Sequence, residues 1–105
     1  MSLNSEFINT KFHASELQHC NFSNSKIEQC EFFGASIAEG NFKDCKILNS
    51  KFNGADLRGT NFENAYLENV DFSGADLKNI RKMNWITVNC SFEKAKNFNN
   101  IINEV

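Results

Sequence analysis

The sequence lacks an excess of charge of either sign and lacks any long hydrophobic run. Its 11 Lys and Arg residues nearly balance its 13 Asp and Glu residues, so the formal net charge of the 105-residue chain is −2. This excludes a strongly basic nucleic-acid binder and a polybasic membrane binder. No apolar stretch approaches the roughly 18 residues of a transmembrane helix, and no signal-peptide pattern opens the chain. We therefore expect a cytoplasmic protein that contacts neither nucleic acid nor a membrane directly.

The patterns of metal, redox and catalytic chemistry are also missing. The sequence has four cysteines, none of them in a CxxC pair: Cys20, Cys30, Cys45 and Cys90. We interpret them as small buried side chains in a reducing compartment. His13 and His19 are isolated, and no Ser-His-Asp arrangement or phosphate-binding loop is recognisable. We predict no metal, no cofactor and no enzymatic activity.

The composition is uneven in a way that indicates internal repetition. Proline is absent and tryptophan and tyrosine occur once each, whereas phenylalanine occurs eleven times and asparagine seventeen times. Phe, Ile or Leu recurs at every fifth position, fifteen times in succession from Phe7 to Leu77. We call these the central residues. The predicted core consists of Phe12, Leu17, Phe22, Ile27, Phe32, Ile37, Phe42, Ile47, Phe52, Leu57, Phe62, Leu67, Phe72, Leu77 and, after an interruption, Phe92.

Two further positions of each repeat follow a rule. The residue two before the central one is Ser, Thr, Cys, Ala or Gly in fourteen of the fifteen repeats, and the residue two after it is Asn or Gly in ten. A period of five fits neither a helix nor a flat strand, so the central residues share one interior only if the chain turns a corner every five residues. Asn and Gly tolerate the positive φ that such corners need. Four corners would close a coil of about 20 residues, and coils would stack at the roughly 4.8 Å spacing of hydrogen-bonded strands.

The repeats also carry a family resemblance. Residues 55–59 (ADLRG) and 75–79 (ADLKN) match the loose consensus Ala-Asp/Asn-Leu-X-X. On this basis the chain resembles the pentapeptide-repeat family. The resemblance implies an all-β fold, a right-handed four-sided β-helix of about four to five coils with about 20 residues per coil.

We expect a single pentapeptide-repeat domain over residues 1–105. Its parts are regular repeats over 5–79, an irregular half-coil or loop over 80–89, resumed repeats over 90–99 and a C-terminal cap over 95–105. Two interpretations of residues 80–89 stay open. The favoured one is a distorted half-coil in which Trp85 covers the interior, and the other is a protruding loop that contacts a partner.

The C-terminal residues have the spacing of a short helix. Phe98, Ile101, Ile102 and Val105 lie at i, i+3, i+4 and i+7, which is one face of a helical turn or two. A stack of coils exposes its core at an open end, so a short helical cap is expected there. Alternatively, the same stripe mediates a homodimer through an end of the solenoid.

A filled solenoid has no natural cavity, so function is expected on its outer faces. We predict a non-catalytic structural or protein-binding module whose partner the sequence does not identify. The candidate contact residues are outward apolar side chains and residues near the C-terminal end: Ile8, Phe33, Leu48, Tyr66, Trp85, Phe98, Ile101 and Ile102.

The resemblance implies a sharper alternative. Some family members resemble B-form DNA in size, shape and charge and bind type II topoisomerases such as DNA gyrase, and some confer quinolone resistance. An acidic rod of this kind can occupy a cationic channel that normally holds DNA. This chain departs from such members because its net charge is only −2 and its predicted stack is short.

Overall fold

The computed structural model describes residues 5–98, which form a parallel β-solenoid. The strands of these residues are β1 (Glu6–Ile8), β2 (Lys26–Glu28), β3 (Lys46–Leu48), β4 (Tyr66–Glu68) and β5 (Ile86–Val88). They pair in parallel and in chain order, and each residue lies beside the one 20 positions later, as Phe7 lies beside Ile27. One coil therefore contains 20 residues, and the all-β solenoid predicted from the repeats is confirmed.

Each coil has four sides, and the strands form only one of them. We name the sides by their central residues: side A holds residues 7, 27, 47, 67 and 87, side B holds 12, 32, 52, 72 and 92, side C holds 17, 37, 57 and 77, and side D holds 22, 42, 62 and 82. On sides B, C and D single-residue bridges with the same register join successive coils, as Lys11 pairs with Glu31. Sides A and C lie opposite each other, as do sides B and D.

A residue with positive φ stands at every corner. The residue two after each central one has a φ between 51° and 71°, from Asn9 to Lys94. On sides B, C and D the N–H of the next residue closes the turn, as Ser15 N–H donates to Phe12 O at 3.2 Å. The backbone conformation expected for the Asn and Gly corners is therefore present, and residues such as Glu39 adopt it as well.

Two ladders of phenylalanine rings fill the interior. On side B the rings from Phe12 to Phe92 stack with centroids 4.6 to 5.2 Å apart and planes within 6° of parallel. On side D the rings of Phe22, Phe42 and Phe62 stack at 5.1 and 5.2 Å. Rings of the two ladders meet edge to face at 5.8 to 6.4 Å, an arrangement that the aromatic quadrupole favours.

Burial follows the position of a residue along the stack. Every central residue from Ile27 to Leu77 is at most 1% exposed. Phe12, Leu17 and Phe92 belong to the same predicted core but are only partly buried. Within residues 5–98 these three residues lie in the first or the last coil. A neighbouring coil therefore packs against only one face of each side chain.

The backbone of residues 80–89 stays on the solenoid and does not protrude as a loop. Arg81 bridges Asn61, and β5 pairs with β4 in the common register. The ladder of hydrogen bonds between coils joins backbone groups, so it continues although the side-chain pattern stops.

The irregularity of this segment lies in its side chains. Lys82 and Thr87 occupy central positions, and Ile80 and Trp85 occupy the position that holds a small residue in most other repeats. The Trp85 ring packs at 5.8, 6.5 and 6.0 Å from three phenylalanine rings, those of Phe62, Phe72 and Phe92. The indole thus lies next to the last ring of the side D ladder and beside the last two rings of the side B ladder.

Residues 95–98 continue the coil and form no helix. Lys96 bridges Asp76, and the Phe98 ring stacks on Phe92 with centroids 4.5 Å apart. No helix within residues 5–98 is long and apolar enough to cross a membrane. The rest of the predicted helical cap lies outside the described residues, with Ile101, Ile102 and Val105.

Candidate functional site

The outward residues of side A form two columns. Each three-residue strand points its central residue inward, so its other two residues point to solvent. The first column is Glu6, Lys26, Lys46, Tyr66 and Ile86, and the second is Ile8, Glu28, Leu48, Glu68 and Val88. Each coil therefore contributes one row of two outward residues to side A.

Exposed aliphatic side chains concentrate on and beside this side. Ile8 is 48% exposed and Ile86 is 55% exposed, and both belong to the columns of side A. Met83 is 68% exposed and lies on side D, one residue from the corner that leads to β5. Ile8 and Ile86 lie in the first and fifth rows, so about four strand spacings, or about 19 Å, separate them along the solenoid.

Polar side chains of side A pair within their own rows. Lys26 Nζ lies 3.7 Å from Glu28 Oε1. The Tyr66 hydroxyl donates to Glu68 Oε1 at 2.8 Å, and this hydrogen bond raises the pKa of Tyr66. These pairs join the two columns, so a basic or hydroxyl group stands beside a carboxylate in each of these two rows.

A shallow groove of about 510 Å³ lies between the third and fourth rows of side A. Its lining residues are Asp44, Cys45, Lys46, Leu48, Asn64, Tyr66 and Glu68. The groove is open to solvent, so it can receive a side chain of a partner but does not enclose a small molecule.

The structure separates the contact residues that the sequence predicted. Ile8, Leu48 and Tyr66 lie together on side A. Phe33 lies on side B, where its ring centroid is 4.9 Å from that of His13. Phe33 follows the central residue Phe32 of side B, so it is not part of the side A surface, and the His13 ring covers part of it.

Trp85 and Phe98 take another position. Their rings pack against each other at 6.3 Å and against the end of the phenylalanine ladders. Sequence reasoning missed Ile86 and Val88, which are outward residues of side A. The five-residue phase could have predicted their outward position, because Thr87 between them occupies a central position. The threonine side chain differs from the Phe, Ile or Leu of the repeats, and this obscured the pattern.

The outward charges of the solenoid are mixed. One column of side B alternates base and acid: Lys11, Glu31, Lys51 and Asp71. On side C the Arg58 guanidinium donates to both carboxylate oxygens of Asp56 at 2.8 and 2.7 Å and lowers the pKa of Asp56. No outward column within residues 5–98 has more than two like charges in succession. The described surface therefore has no continuous acidic ladder.

The buried thiols serve as hydrogen-bond donors between coils. Cys45 Sγ donates to Phe22 O at 2.8 Å, and Cys30 Sγ donates to Phe7 O at 3.1 Å. Burial raises the pKa of Cys45 to about 12 and that of Cys20 to about 11, so these thiols stay protonated at neutral pH and are weak nucleophiles. Within residues 5–98 no three His, Cys, Asp or Glu side chains are placed to hold a metal ion.

The outward residue before the central one has a structural role that sequence reasoning did not assign. Asn41 Oδ1 accepts the Lys43 N–H at 2.9 Å, and Asn61 Oδ1 accepts the Glu63 N–H at 2.8 Å. The repeat consensus has Asp or Asn directly before the central residue, and this preference could have predicted the hydrogen bond. These side chains brace their own backbone and are less available to a partner.

Comparison with known proteins agrees with this architecture. A family model described as a pentapeptide repeat region matches residues 25–99. A pentapeptide repeat protein from the Arabidopsis thaliana thylakoid lumen has a similar structure, with a TM-score of 0.81 and 24% identity over 85% of this chain and 62% of that chain. QnrB1, a plasmid-mediated fluoroquinolone resistance protein, has a TM-score of 0.64 and 14% identity over 80% of this chain and 51% of that chain. This chain thus spans less than two-thirds of either, and the likeness is one of fold. No curated protein matches the sequence.

Proposed function

The chain belongs to the pentapeptide-repeat family, and we propose that it is a non-catalytic protein-binding module that uses side A as its contact surface. The observation that carries this proposal is that side A has an exposed isoleucine at each end and an open groove between its third and fourth rows, on a solenoid whose interior is filled. Side A joins Ile8 and Ile86 to the groove beside Leu48 and Tyr66.

The interior supports a binding role over catalysis. Central residues such as Phe52 and Leu67 are 0% exposed, so the described coils offer no enclosed space for a substrate. The groove on side A is open, and the pKa of the Cys45 thiol is too high for a nucleophile at neutral pH.

The composition of side A also supports protein binding. It combines aliphatic side chains with a tyrosine and with paired charges, Lys26 with Glu28 and Tyr66 with Glu68. Protein interfaces are enriched in tyrosine and include direct hydrogen bonds between the partners, so polar pairs between apolar rows are compatible with binding. A flat partner surface can therefore contact both the apolar rows and the charged rows of side A.

A photo-cross-linking amino acid tests this proposal. We would place p-benzoylphenylalanine at Ile86 on side A or, as a control, at Lys78 on the opposite side C, and irradiate each variant in the native cell. We expect protein adducts mainly from position 86, identified by mass spectrometry. Equal adducts from both positions, or none from position 86, would contradict a contact surface on side A.

A second candidate is binding to a type II topoisomerase in place of DNA. The similarity in fold to QnrB1, a fluoroquinolone resistance protein, favours it. The mixed charges weigh against it, because DNA carries an uninterrupted series of phosphates and the side B column alternates base and acid from Lys11 to Asp71. A DNA gyrase supercoiling assay decides: inhibition at micromolar protein would favour this candidate, and none at high concentration would remove it.

The proposed location is the cytoplasm. All four cysteines are free, which fits a reducing compartment. One protein of similar structure comes from the thylakoid lumen, so fractionation of the native cell, with detection of this chain by antibody, is the appropriate measurement.

A further inference from the structure

The rows of side A are arranged so that several of them complement themselves. In order along the solenoid the rows are Glu6 and Ile8, Lys26 and Glu28, Lys46 and Leu48, Tyr66 and Glu68, and Ile86 and Val88. We consider an interface in which each first-column residue faces the second-column residue of the same row in a second copy of the chain. The second row then places a base opposite an acid. The fourth row brings hydroxyl to carboxylate, and the fifth brings aliphatic to aliphatic.

We propose that side A binds side A of a second copy of this chain, with the two solenoids parallel. A two-fold axis that runs along the solenoids between the two sides places each coil opposite the same coil of the other copy. The same axis exchanges the two columns, so each first-column residue meets the second-column residue of its own row. This inference rests on the proposed function and names the partner of the proposed surface.

The contacts in the free chain support this pairing. Lys26 and Glu28 approach each other to 3.7 Å, and Tyr66 and Glu68 form a hydrogen bond of 2.8 Å. Each carboxylate can accept further hydrogen bonds and a lysine has three donors, so Lys26 of a second copy adds to these bonds. A tyrosine hydroxyl has one donor, so Tyr66 exchanges its bond to Glu68 of its own chain for one to Glu68 of the second copy. By symmetry every such contact occurs twice in the dimer.

Of the remaining rows, the third and the fifth gain apolar contacts, whereas the first places the Glu6 carboxylate opposite Ile8 and contributes no complementary contact. Ile86 faces Val88 of the second copy, which covers an isoleucine that is 55% exposed in the free chain. Lys46 faces Leu48, and the aliphatic stem of a lysine can cover a leucine while its amino group stays in water. No row in this arrangement places two like charges opposite each other.

The charges also decide the relative direction of the two solenoids. In an antiparallel pair, with the two-fold axis along the strands, the third row meets itself and the second row meets the fourth. Lys46 would then face Lys46 of the second copy, and Glu28 would face Glu68. Like charges in direct opposition disfavour an interface, so the parallel arrangement is the one that side A supports.

The size of side A sets the expected strength. Five rows at the strand spacing give a height of about 24 Å, and a three-residue strand gives a width of roughly 10 Å. The area of side A is therefore roughly 240 Å² per copy, or roughly 500 Å² in total, which is below the size of a stable interface and in the range of weak, transient contacts. We expect a dimer that forms at high protein concentration and dissociates on dilution.

Charge reversal at the second row tests the proposal by sedimentation equilibrium over a range of concentrations. Lys26→Glu gives the row two acids and Glu28→Lys gives it two bases, so each single variant should dimerise roughly tenfold more weakly than the natural chain. A one-to-one mixture of the two single variants should recover dimers, because acids then face bases. The double variant Lys26→Glu with Glu28→Lys should behave like the natural chain.

The control is Lys78→Glu on side C, which makes the same charge change away from the interface and should leave dimerisation unaltered. Stronger dimers of Glu28→Lys would indicate the antiparallel pair, and unaltered dimers of both single variants would indicate another surface; either result overturns the proposal. A natural chain that stays monomeric overturns it as well. If the natural chain is monomeric, cross-linked adducts of another protein at position 86 would still support the proposed protein-binding function. If no such adducts form either, both the dimer and the proposed function are contradicted.

Discussion

The middle coils and the C-terminal half-coil share a backbone but not a core. From Ile27 to Leu77 every central residue is Phe, Ile or Leu and at most 1% exposed. Between residues 80 and 89 the central positions hold Lys82 and Thr87, yet β5 keeps its pairing with β4. The path of the chain therefore does not require a large apolar residue at each central position.

The corners persist where the core pattern stops. Asn84 and Asn89 have φ values of 61° and 54°, and Ile86 N–H donates to Ala65 O at 2.9 Å. Corner conformation and hydrogen bonds between coils thus direct the backbone, whereas the central side chains supply most of the stability through burial. Substitutions of central residues should cost more in the middle than at the end, and substitutions at corners should cost the same at both places.

The largest effect is expected from Phe52→Ala. The Phe52 ring is 0% exposed and stacks between Phe32 and Phe72, so its loss should lower the free energy of unfolding by about 3–5 kcal/mol. Phe92→Ala, in the partly buried end, should cost about half as much, and Phe33→Ala on the outer surface should cost less than about 1 kcal/mol. Urea unfolding followed by circular dichroism measures all three. Equal losses for Phe52 and Phe92 would contradict a core concentrated in the middle coils.

The next effect separates core crowding from corner strain with one kind of substitution. A Cβ at Gly40 would lie 2.8 Å from Ile37 Cγ2 and 3.1 Å from Ile37 O, so Gly40→Ala should cost about 1–3 kcal/mol. A Cβ at Gly54 has nothing within 4 Å, but φ there is +68°, so Gly54→Ala should cost only about 1 kcal/mol of left-handed strain. Urea unfolding compares them. A greater loss for Gly54→Ala would mean that the corners are the tighter constraint.

A smaller effect is expected at alkaline pH. Burial raises the pKa of Cys45 from 9.0 to about 12, so the folded chain favours the protonated thiol and the unfolded chain ionises first. The stability that this difference provides is complete below pH 9.0 and is lost as pH rises toward about 12. Unfolding in urea at several pH values from 8 upward, on the natural chain and on Cys45→Ala, measures this. The variant should lose less stability with rising pH, and parallel curves would contradict the assignment to Cys45.

Cys90 gives the matched experiment at the C-terminal end. Burial also raises the pKa of Cys90, but this residue is only partly buried and its Sγ lies 3.5 Å from Leu67 O. We expect Cys90→Ala to flatten the alkaline dependence less than Cys45→Ala does. If Cys90→Ala flattened the alkaline dependence more than Cys45→Ala, the thiol of the end coil would be the more strongly buried one, which contradicts this expectation.

The architecture could be predicted from the sequence because a period of five admits few solutions. Phe52 and Phe72 share one interior only if the chain turns a corner every five residues, and corners of this kind imply stacked coils. The backbone of residues 80–89 was harder to predict, because the prediction followed the central side chains. The corner residues Asn84 and Asn89 kept the pattern and were the better guide.

The candidate surface was predictable in part. The five-residue phase places Ile8, Leu48 and Tyr66 on one side, and the structure has them there. The stacking of Phe98 on Phe92 had no periodic signal, because the chain leaves the repeat phase just before it. The donor role of Cys45 toward Phe22 O also left no trace, because alanine occupies the same position in other repeats without any hydrogen bond.

The smallest effect tests whether corners act independently of the core. Lys94 has a φ of 58° in the last coil and Asn64 has a φ of 60° in the middle. Asparagine tolerates this conformation better than other residues with a Cβ, so Lys94→Asn should raise the free energy of unfolding by about 0.5–1 kcal/mol, and Asn64→Ala should lower it by a similar amount. Thermal unfolding by circular dichroism is the measurement. The two changes should be of equal size because the strain is local to one residue. If Asn64→Ala cost several times what Lys94→Asn gains, the corners would depend on the coils packed around them, and the separation between a path set by corners and a stability set by the core would fail.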